Sequence, residues 1–185
     1  MILANQIRKE NIAEYLLYMW QIEDAIRANN LDIDLIESNL VSKYKVEEDK
    51  KAEIKDWYES LIKMMELENK KQSGHLQINI NVIIRLVDLH SELLKSPKFP
   101  EYGAEFYKTL PYIVELRAKA GENKVGELET CFNALYGTLM LKLQGKEISE
   151  DTLKAVSQIS KFLAILSAFY KKNEESPIFE DNDNM

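Results

Sequence analysis

The sequence predicts an all-α fold: a single-domain bundle of about six to seven helices around a buried N-terminal helix, closed by a C-terminal helical hairpin. Three features predict it. The 185 residues include only six Gly and four Pro, with 30% charged and 45% hydrophobic residues, a balance that suits packed helices better than a β-sandwich or a disordered chain. Apolar residues recur three and four apart in every long segment. Strict alternation is confined to residues 76–82, and no other stretch offers a partner strand.

The first predicted helix covers residues 5–28, where Ile12, Tyr15, Met19, Ile22 and Ile26 form a stripe that Leu16, Leu17 and Trp20 widen. A helix this apolar around its circumference is normally covered on several sides. Asn29-Asn30 favours its end, and Asp32 is a natural N-cap for a short helix over 33–43. Between 46 and 71, Ile54, Trp57, Tyr58, Leu61, Ile62 and Met65 repeat at helical spacing, with Gly74 expected to end the helix. Glu-to-Lys pairs four apart mark its solvent face, each worth about 0.2–0.5 kcal/mol.

Residues 76–94 admit two periods. Leu76, Ile80, Ile83, Val87, His90 and Leu94 fit a helix across the whole stretch, whereas a strand accounts only for 76–82, so the helix is preferred. Ser96-Pro97-Lys98-Phe99-Pro100 breaks the chain, and Pro100 suits the first turn of a helix over 100–120. Pro111 falls inside that helix, where a missing N–H and a ring clash amount to about 3 kcal/mol, so a kink or a two-piece helix is expected. Gly121 caps it, and Glu122-Asn123-Lys124 connects to the hairpin. The first arm spans 125–144, with Leu128, Phe132, Leu135, Leu139 and Leu143 inward. Ser149 caps the second, whose stripe is Val156, Ile159, Leu163, Leu166 and Tyr170. The domain is taken as 1–173, followed by an acidic, flexible tail over 174–185.

Net charge is −7, with no basic stripe and no zinc-finger or aromatic RNA-binding motif, so nucleic acid is not an expected partner. No segment reaches the ~20 apolar residues of a membrane span, and the N-terminus lacks the pattern of a signal peptide. Together with one cysteine, Cys131, these features make a cytoplasmic location the expectation.

Few residues point to chemistry. The positions three before His75 and His90 are Gln72 and Val87, so the Glu-x-x-His pattern of di-metal bundles is missing, and neither metal nor other cofactor is expected. No phosphate loop, dinucleotide fingerprint or hydrolase elbow occurs. His90 stands on an apolar stripe, where a packed, hydrogen-bonded histidine is commoner than a ligand. His75 follows Gly74 at a junction, a place for a capping residue or a functional one. Glu23 lies on the inner side of the first helix with Arg27 four residues on, and Tyr15 belongs to an aromatic cluster that is core by default. Cys131 reads as a small hydrophobe.

At Arg8-Lys9-Glu10-Asn11-Ile12-Ala13-Glu14-Tyr15-Leu16-Leu17-Tyr18-Met19-Trp20-Gln21-Ile22-Glu23-Asp24, with Ser73-Gly74-His75-Leu76 downstream, the chain resembles a family of all-helical bacterial proteins defined only as a domain of unknown function. The resemblance implies a small cytoplasmic bacterial helical domain and supplies no catalytic residue. Two functions are expected in order: a non-enzymatic interaction or scaffold module that self-associates, most simply as a homodimer; and a small-molecule binding protein or small enzyme. The second would place a pocket between the first helix and the Gly74-His75 junction, with Tyr15, Glu23, His75 and His90 as candidate residues.

Overall fold

The computed structural model describes residues 2–121 and 125–179, so Glu122-Asn123-Lys124 and the acidic residues of 180–185 lie outside the described residues. Among these residues the chain is all-α: α1 (Ile2–Glu10), α2 (Ile12–Ala28), α3 (Ile33–Asn39), a 3-10 turn (Val41–Lys43), α4 (Glu48–Leu67), α5 (Gln77–Lys95), α6 (Pro100–Lys119), α7 (Glu127–Leu143) and α8 (Glu150–Glu175). None of these helices is long and apolar enough to cross a membrane.

The expected first helix is two helices. Asn11 breaks it because its side-chain Oδ1 accepts the Ala13 N–H at 3.0 Å, so the side chain caps a new helix instead of continuing the old one. Asn30 and Leu31 end α2 with φ of 57° and 58°, and Asp32 Oδ1 caps α3 through Asp34 N (2.8 Å) and Leu35 N (3.2 Å). The stop of α4 is Asn69 rather than Gly74. With φ at 56°, Asn69 lets Lys70 N reach back to Met65 O at 2.7 Å, a left-handed helix terminus. Gly74, φ 81°, serves instead in the link to α5, which is helical as its longer period predicts.

Pro111 does not divide α6, which is one helix over all twenty residues. Pro111 and Tyr107, whose carbonyl would have received its N–H, both lie on the exposed face, where water can serve that carbonyl. At the end of α7, Leu143 is 69% exposed rather than inward. It sits in the last turn, next to the left-handed Gly145 (φ 67°). Ser149 caps α8 by accepting Thr152 N at 3.3 Å. Helix α8 takes in Glu174 and Glu175, and beyond it the Phe179 ring meets Phe99 edge-on at 5.8 Å.

The chain folds into two compact units. The first comprises Met1–Arg8 and Glu14–Val82. There α3 packs on α4 and on the 3-10 turn, and α2 contributes Leu16, Trp20, Ile22 and Ile26, all buried. The second comprises Lys9–Ala13 and Ile83–Met185. In it α6 packs on α7 and α8, the α7–α8 hairpin closes as its spacing predicts, and Ser167 Oγ accepts the Ala13 N–H at 3.3 Å. Aromatic rings fill its centre: Phe162 lies 5.6 Å from Phe106 and 5.8 Å from Tyr102, both tilted pairs, worth about 0.5–1.5 kcal/mol each beyond burial.

Candidate functional site

Glu23 is the misfit of the first unit: a carboxylate on the inner side of an apolar helix, near its C-terminal end where the dipole disfavours it. It is 0% exposed, and three donors from one short stretch of chain account for its burial. Oε1 accepts the Leu76 N–H at 2.9 Å and Asn79 Nδ2 at 2.7 Å; Oε2 faces His75 Nδ1 at 2.6 Å. Leu76 N–H precedes the first turn of α5, so the carboxylate also stands at that helix's positive end. Glu23 thus ties α2 to the start of α5.

His75 completes the arrangement. Its ring stacks on Trp20 at 4.0 Å with planes 12° apart, and its side chain is 27% exposed. A carboxylate can only accept, so it is a proton on Nδ1 that makes this bond to Glu23. Arg27 does not pair with Glu23. It binds Asp24 Oδ1 at 2.8 Å, and its guanidinium donates to the carbonyls of Lys70 (3.2 and 3.3 Å) and Gly74. Glu68 adds a further tie, accepting Gln77 N at 2.7 Å. Residues 70–79 are therefore held by side chains of α2 and by Glu68 at the end of α4, which fixes the link between two long helices.

Of the candidate residues, Tyr15, Glu23 and His75 fall in the first unit. Burial raises the Tyr15 phenol above its usual range, the Arg8 guanidinium 5.7 Å over its ring lowers it, and Glu23 raises it again. Tyr15 stays a neutral hydroxyl at physiological pH. His90 belongs to the second unit and has its own partner, Tyr102 OH, 2.5 Å from Nδ1. Burial pushes His90 down to about 4 and raises Tyr102, so the phenol donates to a neutral imidazole. His90 is a packed core histidine. Burial likewise pushes the Cys131 thiol up to about 12, which suits a small hydrophobe and not a nucleophile.

Sequence reasoning missed one participant, Asn79, and the contacts made by two others, Trp20 and Arg27. Asn79 is fully buried, with Nδ2 on Glu23 and Oδ1 without a hydrogen-bond partner. Its signal was a polar residue four before Ile83, on the inner stripe of α5. Trp20 gave no signal beyond being aromatic, and the Arg27 contacts go to backbone carbonyls, which no side-chain pattern reports. On the other flank of α2, Tyr18, Tyr44 and Tyr58 line a hollow of about 420 Å³. Burial and the hydroxyl of Tyr44 hold Tyr18 and Tyr58 well above the usual phenol range, so they are donors, not bases. Among the described residues no group of three or more His, Cys, Asp and Glu could hold a metal ion.

The model of a protein family described as a domain of unknown function, DUF4924, matches residues 1–176. The chain belongs to this family. Comparison with curated proteins and with solved structures found no match. The DUF4924 description assigns no activity, so the roles of Glu23, His75 and their neighbours rest on geometry alone.

Proposed function

We propose that this chain is a non-enzymatic helical interaction module that acts by self-association, as a homodimer in the cytoplasm. One observation carries the proposal. The solvent face of α6 carries an apolar row: Ala104, Tyr107, Pro111, Val114 and Ala118 are all exposed, Tyr107 at 65% and Val114 at 57%. Single exposed apolar residues are ordinary, but a continuous row along a helix that could have carried charges is typical of a contact surface. The burial of the Glu23 carboxylate, with both oxygens bonded to groups of the chain itself, also favours a non-catalytic reading, since a general base must reach a substrate. The cytoplasmic setting is supported by the lone, buried Cys131.

The test is Val114→Glu, which places a charge in the middle of the row. Light scattering should show the mass fall from two chains to one while the far-ultraviolet circular dichroism stays helical. A Val114→Glu mass equal to that of the wild type would remove α6 from the proposal. The second reading, a small-molecule site at the Glu23–His75 junction, is supported by the exposed outer edge of His75. It predicts a ligand-dependent rise in melting temperature that His75→Ala abolishes.

A further inference from the structure

The exposed row of α6 has a spacing of its own. From Ala104 to Tyr107, Pro111, Val114 and Ala118 the steps are three, four, three and four, the repeat that keeps one seam of a helix against another helix. The inner face of α6 is already occupied, through Tyr102, Phe106, Thr109 and Ile113, so the seam is a second face on the opposite side. Two charged residues, Lys108 and Glu115, border one edge of it seven residues apart. Both are largely exposed, Lys108 at 64% and Glu115 at 62%, and their present partners are neighbours on the same helix, Glu105 at 3.5 Å and Lys119 at 2.7 Å.

We infer that the occupant of this seam is α6 of a second copy, running antiparallel about a two-fold axis near the Pro111–Val114 step. The inference rests on the self-association proposed above and specifies its geometry. In this register Lys108 faces the partner's Glu115, and the symmetry repeats the pair, giving two cross-chain ion pairs from one edge. Tyr107, the largest side chain of the row, lies opposite the partner's Ala118, and Pro111 lies opposite the partner's Val114, so bulk meets space along the seam. A parallel pair does neither. It would stack Tyr107 on its own counterpart and leave Lys108 and Glu115 with no opposing charge. A single helix pair is at the small end of specific interfaces, so the dimer is expected to be concentration-dependent.

Charge exchange tests the register. Lys108→Glu sets like charges opposite one another at both symmetric contacts, and Glu115→Lys does the same with the opposite sign. Each should weaken association about tenfold or more in sedimentation velocity. Mixing the two single variants should restore association as a heterodimer, because each then supplies the charge the other needs, and the double variant Lys108→Glu, Glu115→Lys should restore it within one chain. Circular dichroism on each variant separates loss of pairing from loss of fold. Single variants that associate as tightly as the wild type, or a mixture that stays monomeric, would overturn the antiparallel register while leaving self-association standing. A wild-type chain that is monomeric throughout would remove the proposed function itself.

Discussion

Replacing Glu23 by Ala removes the acceptor for three donors at once. Leu76 and Asn79 are both 0% exposed, so the Leu76 N–H and the Asn79 amide cannot turn to water, whereas His75 is partly exposed and can. Each buried donor left unpaired costs about 1–3 kcal/mol, so the expected loss is about 2–6 kcal/mol. Against the roughly 5–15 kcal/mol that holds a typical domain together, this is a large fraction. Glu23→Gln separates hydrogen bonding from charge. Its carbonyl oxygen can still serve both buried donors, and its amide can donate to a His75 that has changed tautomer, so the loss should be about 1–2 kcal/mol. The assay is urea unfolding followed by circular dichroism at fixed protein concentration, comparing midpoints at unchanged slope. A Glu23→Ala loss under about 1 kcal/mol, or a Gln variant as damaged as the Ala variant, would refute the view that Glu23 is a buried latch.

Asn11→Ala should destabilise the chain by about 0.5–2 kcal/mol, the usual effect of losing an N-cap, and the same urea series measures it; no change would mean that the α1–α2 break does not depend on the side chain. His90 makes a pH prediction. Its value in the folded chain, about 4, lies below the ordinary 6.5, so the unfolded chain binds the extra proton first, and stability falls as pH drops from 6.5 to about 4 and levels off below. At about 1.4 kcal/mol per unit the contribution is at most about 3.5 kcal/mol, and His90→Phe should flatten that part of the stability–pH curve relative to wild type. An unchanged slope would mean that the imidazole is not buried as a neutral group.

Much of this architecture is legible in the residues because helical period, caps and breaks are local. Over 76–94 the length of the pattern favours a helix, and α5 forms as one helix because its apolar stripe persists well past the stretch that also fits a strand. Asp32 and Ser149 announce their caps by type and position. The break at Asn11 was not legible, since Asn is tolerated within a helix and only the competing bond to Ala13 N decides. Glu23 stood out as a carboxylate among apolar neighbours, and His75 as a polar residue at a junction, yet the 2.6 Å bond between them spans 52 positions of chain. Contacts of that kind depend on how helices pack, as do the Asn79 amide and the Arg27 grip on backbone carbonyls. The seam on α6 was present in the sequence as a 3-4 repeat. Which of its two apolar faces lies inward is decided by packing: α6 meets α7 and α8 with Tyr102, Phe106 and Ile113 buried.

The central claim is that this chain works paired with itself. The most direct measurement is the weight-average mass of the unmodified protein by sedimentation equilibrium, from micromolar to millimolar concentration. Self-association predicts a rise from the 21.5 kDa of one chain toward twice that value. A mass that stays at one chain across the whole range would contradict it.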